Sequence, residues 1–380
     1  MSEVGYPYKF DKDKRKKARL YSKQKFYTGF IQGTILTLST LIILYFSGLS
    51  ELMEILAFDL LSYLPLNNYW IGGMIFVLLF TTVIYLIGLP VSYYSGFVLE
   101  HRYGLSNQSK GDWIKDQVKA FLIMQLLGVP LILGIFYLGQ NYTDLWWLYA
   151  GIVYFVILGV LSNISHLIFL PLFYELNEVE DEELSRRLTE IAESNGVDEV
   201  EKVMEVKAGK KTKKANAGFA GMGKTKRIFL FDTLLENFHE KEIETVVAHE
   251  MGHYVNKDIL RFILIQGLLI FPIFYLTGVI FNTYASFENF YALPLFILII
   301  YGLYSFVDPL ILAYSRSRER KADDFALSVI EDPKAAVSAF KRLSDIDLAE
   351  LDPNRVIELL FYSHPPPIQR IQKAEKYEGE

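Results

Sequence analysis

Six long apolar stretches constrain the fold of this 380-residue chain more than any other feature. They lie at roughly 27–47, 70–95, 119–139, 145–174, 259–283 and 291–314. Each reaches the ~20 residues that a helix needs to cross a bilayer, and several contain glycine and proline, which membrane helices tolerate. Buried helices of a large soluble core are the alternative. That alternative is disfavoured because the stretches lack Lys and Arg except near their ends.

The distribution of positive charge predicts how these spans are oriented. The 38 Lys and Arg residues all fall before residue 26, within 102–119, within 186–261, or from 316 onward. The loops that carry none are 48–69, 140–144 and 284–290. By the positive-inside rule, both termini, the 96–118 loop and the 175–258 segment are therefore cytosolic. The expected location is the cell membrane of a prokaryote or the endoplasmic reticulum of a eukaryote.

Two further features limit the chemistry and the processing of the chain. It contains no cysteine, so disulfide bonds and thiolate catalysis are excluded. Its first 25 residues are polar and basic, and the first apolar run is long enough to be a span. We therefore expect no cleavable signal peptide.

The motif His249-Glu250-Met251-Gly252-His253 is the main indication of function. Two histidines four residues apart lie on one helix face, about 40° apart, and can bind one Zn²⁺. Glu250 can then take a proton from a water at the metal. The pattern is short, and a polar helix face is the alternative. The apolar periodicity of 242–248, without proline or glycine, favours the metal site.

A catalytic zinc needs a third protein ligand, and Glu319 is the best candidate. His253 lies six residues before span five and Glu319 five residues after span six, so both lie at a similar depth. Asp323, one turn after Glu319, can hydrogen-bond the other nitrogen of a ligand histidine. The alternative is that Glu319 belongs to a solvated charged helix end. The nearby His-Glu-x-x-His motif favours the ligand role.

The segment between spans four and five is predicted to contain a helix and a small β-sheet. The predicted elements are an acidic helix from Glu178 to Ala192 and extended runs at Lys202–Val206 and Arg227–Phe231. Small residues around Asn216 and Ala217 indicate a loop and an edge strand between the two runs.

Lysines and arginines cluster at 207–214 and 224–227. The cluster lacks interleaved aromatic residues and adjoins a membrane, so we expect a solvated turn or a lipid-headgroup contact, and no nucleic-acid partner.

The fold class predicted from all these features is mainly α, a polytopic membrane protein with about six transmembrane helices and a cytosolic zinc metalloprotease domain containing a small β-sheet. Four regions are predicted: four spans in 1–174, a cytosolic insertion with the edge strand and the motif helix in 175–258, spans five and six in 259–314, and a third-ligand helix with a cytosolic tail in 315–380.

Several motifs together resemble the integral-membrane zinc CAAX prenyl protease family, type I, the a-factor-converting endopeptidases. Residues 100–108 resemble its E-x-x-x-G-[FL]-[NS]-x-Q loop, and residues 216–228 its N-A-x-x-x-G-x-G-K-T-K-R-I strand. Residues 315–323 resemble its S-R-x-x-E-x-x-A-D helix, and residues 363–370 its S-H-P…R tail. The matches extend from about residue 95 to 371.

The resemblance implies a role for each matching residue. One Zn²⁺ per chain would be bound by His249, His253 and Glu319, with Asp323 orienting a ligand. Glu250 would be the general base and then the proton donor. The strand at Asn216 and Ala217 would hold the substrate backbone by β-augmentation. The remaining two residues, His364 and Arg370, would lie near the scissile carbonyl, where His364 could stabilise the oxyanion.

The leading hypothesis is a membrane-embedded zinc metalloendopeptidase that cleaves peptides or proteins near the cytosolic membrane face. The resemblance implies C-terminal processing of isoprenylated CAAX proteins. A quality-control metalloprotease of membrane proteins is the alternative. A non-catalytic membrane scaffold is disfavoured because Glu250 is not a ligand and has no structural reason to occupy its position.

Overall fold

A computed structural model describes residues 5–63, 68–221 and 225–378. Met222, Gly223 and Lys224 of the strand motif lie outside the described residues. The helices are α1 Lys12–Phe30, α2 Thr37–Phe46, α3 Leu49–Ser62, α4 Tyr69–Tyr93, α5 Leu99–Arg102, α6 Lys110–Asn141, α7 Trp146–Phe173, α8 Glu182–Ser194, α9 Asp232–Asn237, α10 Glu240–Val255, α11 Asp258–Tyr284, α12 Leu293–Val329, α13 Pro333–Ile346, α14 Arg355–Phe361 and α15 Pro367–Glu378. The strands are β1 Leu176–Glu178, β2 Val200–Val206, β3 Ala217–Ala220 and β4 Lys226–Phe231.

The described residues contain six continuous helical segments that are long and apolar enough to cross a membrane. These are Lys12–Phe46, Tyr69–Arg102, Lys110–Asn141, Trp146–Phe173, Asp258–Tyr284 and Phe290–Val329. Each coincides almost entirely with one of the six apolar stretches, and the first, second, third and sixth segments also continue into flanking polar sequence. The prediction of a mainly helical, polytopic membrane protein with a small β-sheet is confirmed.

The segment 48–69 contains a helix that the sequence analysis treated as a loop. Helix α3 follows Gly48, whose φ of 76° is in the left-handed region that favours glycine. Ala57 and Leu61 of α3 are buried, and Glu54 accepts a hydrogen bond from the Phe290 backbone N–H at 2.8 Å. Helix α3 is shorter than a membrane span, and acidic residues interrupt its apolar sequence, so it does not form a long apolar run.

Aromatic side chains pack the centre of the membrane helices. Phe76, Phe136, Trp146 and Phe290 are almost completely buried in one cluster. The ring of Phe290 lies against Gly73 of α4, where an added Cβ would come within 2.2 Å of the ring. A small residue at this position therefore allows the helix backbone and the ring to approach closely, as is common where membrane helices pack.

The strands form one mixed sheet in the order β1-β2-β4-β3. β2 and β4 are parallel, whereas β1 pairs with β2 and β3 pairs with β4 in the antiparallel direction. The predicted runs correspond to β2 and β4, and the predicted edge strand to β3. The acidic helix was predicted to start at Glu178, which is wrong. Glu178 belongs to β1, and α8 starts after Asp181, whose side chain accepts a hydrogen bond from Leu184 N–H.

The outer edge of β3 is the part of the sheet nearest the candidate site. The carbonyl of Asn216 accepts from Phe231 N–H, and Ala217 is opposite Leu230 in the register with β4. In an antiparallel pair, hydrogen-bonded and non-hydrogen-bonded residues alternate. The backbone N–H and C=O of Ala217 therefore point away from β4, toward the open edge.

The loop after α5 supports the segment that leads into β3. The Lys213 N–H donates to the carbonyl of Leu105 at 2.9 Å, and the Asn107 N–H donates to the carbonyl of Lys211. Within the basic cluster, Lys211 pairs with Asp116 at 2.6 Å and Lys214 with Glu100 at 3.0 Å. The loop motif at residues 100–108 thus holds the segment that leads into β3 in place.

Candidate metal centre

Two helices present the predicted ligands. Helix α10 carries the histidine motif and is capped at its start by His239, whose backbone N–H donates to Glu242 at 2.8 Å. One face of α10 is fully buried through residues such as Ile243 and Met251, which fixes the rotation of the helix. Helix α12 continues without a break from the sixth span through Glu319 and Asp323. The predicted division of the chain at 174, 258 and 314 stays a prediction.

The three predicted ligands converge at one point. The Nε2 atom of His249 lies 3.3 Å from Glu319 Oε2, and the Nε2 atom of His253 lies 3.4 Å from Glu319 Oε1. One potential ligand atom from each residue lies within 4.8 Å of the other two. A tetrahedral ion with bonds of 2.0–2.2 Å separates its ligand atoms by about 3.4 Å. The spacing therefore fits a small divalent cation.

The donor chemistry fits a metal as well. The Oε2 atom of Glu319 is buried and has no hydrogen-bond partner among the described residues. A buried carboxylate oxygen without a partner is costly, and a cation held between Glu319 and the two imidazoles would remove that cost. Two imidazoles and one carboxylate are a donor set found in catalytic zinc sites.

Acidic side chains hold the opposite nitrogen of each histidine. The Nδ1 atom of His249 lies 2.9 Å from Asp323 Oδ1, as the spacing of Asp323 from Glu319 suggested. The Nδ1 atom of His253 lies 2.9 Å from Asp258 Oδ2, and Arg318 also binds Asp258. Sequence reasoning missed Asp258. Its signal was an acidic residue five positions after His253, at the start of an apolar span.

Gly252 allows the two helices to approach each other. A Cβ at this position would lie 3.0 Å from Ala322 Cα and 3.1 Å from the Ala322 carbonyl oxygen. Sequence reasoning treated Gly252 as an unspecified position of the motif. A glycine in the middle of an otherwise good helix was the available signal, because it lowers helix propensity and usually has a packing reason.

The centre opens into a cleft of about 570 Å³. Its lining includes His249 and Glu250 together with the other predicted site residues Asn216, Ala217, His364 and Arg370. The open edge of β3 therefore lies along the same cleft as the histidine motif. The cleft brings together all the predicted catalytic and substrate-binding residues.

The two C-terminal residues contact the metal-binding groups in different ways. The side chain of His364 is 63% exposed, and its Nε2 lies 3.3 Å from Glu319 Oε1. The guanidinium of Arg370 donates to Asp323 Oδ1 at 2.6 Å and lies 3.3 Å from His249 Nδ1. Arg370 therefore holds the carboxylate that orients His249, while His364 lines the cleft with its Nδ1 2.8 Å from Ser363 Oγ.

The surroundings shift the pKa of two motif residues. Burial and nearby Arg370 lower the pKa of His249, but the neighbouring carboxylates of Asp323 and Glu319 outweigh both effects and raise the pKa to about 9. Burial raises the pKa of Glu250, against the opposing effect of both motif histidines. A carboxylate with a raised pKa is better suited to accept and return a proton near neutral pH.

Comparisons with known proteins agree with this geometry. The profile of peptidase family M48 matches residues 178–378, and the profile described as CAAX prenyl protease N-terminal, five membrane helices, matches residues 7–175. The uncharacterized metalloprotease YhfN of Bacillus subtilis is 32% identical over 81% of this chain and 74% of its own length. The human CAAX prenyl protease 1 homolog is 27% identical over 95% of this chain and 86% of its own.

A solved structure shares the fold. The crystal structure of Ste24p from S. mikatae matches with a TM-score of 0.82 and 24% sequence identity, over 95% of this chain and 88% of that one. The family profile covers the cleft, both ligand helices and the C-terminal segment, and the second profile covers the first four spans. The chain belongs to peptidase family M48 and is an integral membrane metalloendopeptidase.

Proposed function

We propose that this protein is a zinc-dependent endopeptidase that cleaves peptides at the cleft beside His249 and His253. The observation that carries this proposal is the convergence of one ligand atom each from His249, His253 and Glu319, within 4.8 Å of one another, next to an open strand edge. Zinc bound there would polarise the scissile carbonyl and lower the pKa of a water molecule. One ion per chain is expected, because the described residues offer one such group.

The side chains around the metal centre have separate roles in peptide hydrolysis. Glu250 accepts the proton of the attacking water and passes it to the leaving nitrogen. Asp323 and Asp258 keep the histidine rings oriented so that each Nε2 faces the centre. Arg370 holds Asp323 and lies beside the scissile carbonyl, and His364 donates a hydrogen bond to the oxyanion as negative charge develops.

The open edge of β3 binds the substrate backbone. The N–H and C=O of Ala217 point into the cleft, so an extended peptide can add to the sheet as a further strand. The exposed side chain of Asn216 lies on the same stretch of the cleft. This arrangement fits an endopeptidase, because backbone pairing on both sides of a bond does not require a chain end.

We propose C-terminal processing of prenylated CAAX-type proteins as the cellular activity. The relatives that support this substrate include proteins named CAAX prenyl protease 1 in fission yeast and human. A quality-control metalloprotease of membrane proteins is the second candidate, and YhfN, at 32% identity, is named a metalloprotease without a stated substrate. The two candidates differ in whether the prenyl group matters for cleavage.

We further propose that the cleft and both termini face the cytosol. The supporting feature is the charge distribution, since the loops at 140–144 and 284–290 lack Lys and Arg. Because the chain has no cysteine, single cysteines can be introduced at exposed positions. Glu236→Cys should react with an impermeant maleimide only after the membrane is opened, and Glu288→Cys should react in intact cells. The opposite pattern would reverse the orientation.

The cleavage experiment uses detergent-solubilised protein and two fluorogenic CAAX peptides, one farnesylated and one not. We expect cleavage of the farnesylated peptide by the wild type, with loss in Glu250→Gln and after chelation. Glu250→Gln should keep its metal and its thermal stability. Glu236→Gln is the matched control, because it makes the same change at an exposed position of the neighbouring helix α9.

The other outcomes assign the protein differently. Equal cleavage of both peptides would favour a general membrane protease with a quality-control role. Absence of cleavage, with one metal ion bound per chain, would contradict the proposed specificity for CAAX peptides. Unchanged activity in Glu250→Gln would refute the role of Glu250 as the general base.

A further inference from the structure

Asp347, on the wall of the catalytic cleft, is held in a way that costs stability. It follows the last residue of α13 and forms the C-cap of that helix. Its Oδ1 atom is buried and has no hydrogen-bond partner among the described residues. A carboxylate at the negative end of a helix is unfavourable, and an unpaired buried oxygen adds a further cost. Neither feature helps the fold.

The backbone beside Asp347 is also unusual. Leu348 has a φ of 49°, in the left-handed region that non-glycine residues rarely adopt, and its side chain is buried. Residues held in such conformations tend to occur at functional sites, where the surroundings maintain them. Asp347 and Leu348 thus form an energetically unfavourable segment, and Asp347 lines the cleft.

Asp347 lies at the end of the strand edge that would receive the substrate. The N–H of Ala215, two residues before Ala217, lies against the Asp347 carboxyl group. A peptide that pairs with Ala217 and continues toward Ala215 would therefore meet a carboxylate instead of a free backbone donor. At about 3.4 Å per residue, the peptide position at Asp347 is about two residues from the one opposite Ala217.

The basic groups near Asp347 are bound to other carboxylates, so Asp347 is available to pair with a cationic group of the substrate. Lys214 affects it electrostatically, but the Lys214 Nζ is bound to Glu100 at 3.0 Å and donates to the Tyr21 hydroxyl. Glu350, a second carboxylate, lines the same part of the cleft. Arg370, which lines the cleft together with Asp347 and Glu350, is already bound to Asp323.

We propose that Asp347, assisted by Glu350, is a specificity determinant that binds a lysine or arginine side chain of the substrate about two residues from the position opposite Ala217. The inference rests on the cleft being the peptide-binding site proposed above. A cationic side chain in the cleft would balance the charge of the Asp347 carboxylate. The free C-terminal carboxylate of a substrate would lie away from this end of the cleft.

The test uses fluorescent peptides in which one lysine is moved along the chain, each with a norleucine twin of equal length and no charge. Both farnesylated and unprenylated sets are needed. Binding is measured by anisotropy on Glu250→Gln protein, so the result does not depend on cleavage. At one position we expect lysine to bind at least about tenfold more tightly than norleucine, as a charged hydrogen bond allows.

Three variants test whether Asp347 is responsible for the preference for lysine over norleucine. Asp347→Asn should reduce the lysine-to-norleucine ratio to about 1, whereas Asp352→Asn, an exposed carboxylate in the adjacent loop, should keep it. Glu350→Gln should reduce the ratio partly and provides a second variant if Asp347→Asn fails to fold.

Two results would overturn the proposal. One is a ratio near 1 at every position in the wild-type cleft, and the other is a ratio that survives Asp347→Asn. Equal loss of lysine and norleucine binding in that variant would assign Asp347 to the substrate backbone instead. A clear ratio without any cleavage by the wild type would retain this inference and refute the proposed protease activity on these peptides.

Discussion

Gly252→Ala provides a direct test of how the two ligand helices hold the metal centre. The added Cβ would lie 3.0 Å from Ala322 Cα, 3.1 Å from the Ala322 carbonyl oxygen and 3.2 Å from Phe325 Cβ. Carbon atoms pack favourably at about 3.5–4.0 Å, so α10 and α12 must separate by about 0.5 Å. Because His249 and His253 are on one helix and Glu319 is on the other, that shift acts directly on the ligand set.

The expected effect on metal binding is larger than the effect on stability. Metal–ligand bonds tolerate deviations of about 0.2 Å, so a shift of about 0.5 Å should weaken metal affinity at least about tenfold. Overpacking costs about 1–3 kcal/mol, and replacing glycine by alanine in a helix returns about 1 kcal/mol. The net loss of folding stability should therefore be about 0–2 kcal/mol.

The assay is metal titration against a competing chelator, together with thermal unfolding in detergent. Gly302→Ala is the control, because Gly302 lies on the same helix α12 and an added Cβ there meets nothing within 4 Å. The control should keep wild-type metal affinity. If Gly252→Ala bound metal as tightly as Gly302→Ala, the close approach would not control the ligand geometry and the reasoning would be refuted.

Three further predictions concern the groups around the centre. Asp258→Asn should lower metal affinity about 10–100-fold, measured by chelator competition, because His253 loses the carboxylate that orients its ring; an unchanged affinity would contradict that role. Arg342→Met should destabilise the protein by about 3–5 kcal/mol in thermal or denaturant unfolding, because it leaves the buried Glu242 carboxylate without its cationic partner at 2.8 Å; a loss below about 1 kcal/mol would show that the pair is dispensable. Burial raises the pKa of Asp347 to about 7, against the opposing effect of Lys214, so the folded state favours the protonated form and stability should fall as pH rises from about 4 through 7. Asp347→Asn should therefore raise the unfolding temperature at pH 8 more than at pH 5, and an equal shift at both pH values would contradict this assignment.

Much of the architecture was predictable because it depends on local composition and period. Six apolar stretches predicted the spans, since a bilayer requires about 20 apolar residues per crossing whatever the rest of the chain does. The spacing of His249 and His253 predicted a shared helix face, because an α-helix has 3.6 residues per turn. The position of Glu319 followed from matching its depth to that of His253 across an antiparallel pair of helices.

Other features depend on contacts between segments far apart in the chain. The boundary of α8 was misplaced because pairing of Glu178 with β2 overrides its place in an acidic, helix-like run. The helix at 49–62 was missed because its burial is decided by α4 and Phe290 rather than by its own hydropathy.

The sequence by itself determined the spans and the motif helix and predicted the chemical nature of the proposed metal ligands, because these depend on residue type and on spacing within one helix. Only the tertiary structure revealed that Asp258 supports His253, that Gly252 sets the distance between the ligand helices, and that Asp347 is buried on the cleft wall with an unpaired oxygen. The physical reason is that hydrogen bonding, close packing and desolvation are properties of pairs of groups brought together by folding. A linear pattern specifies the groups, and the packing of α10, α12 and α13 decides which of them meet.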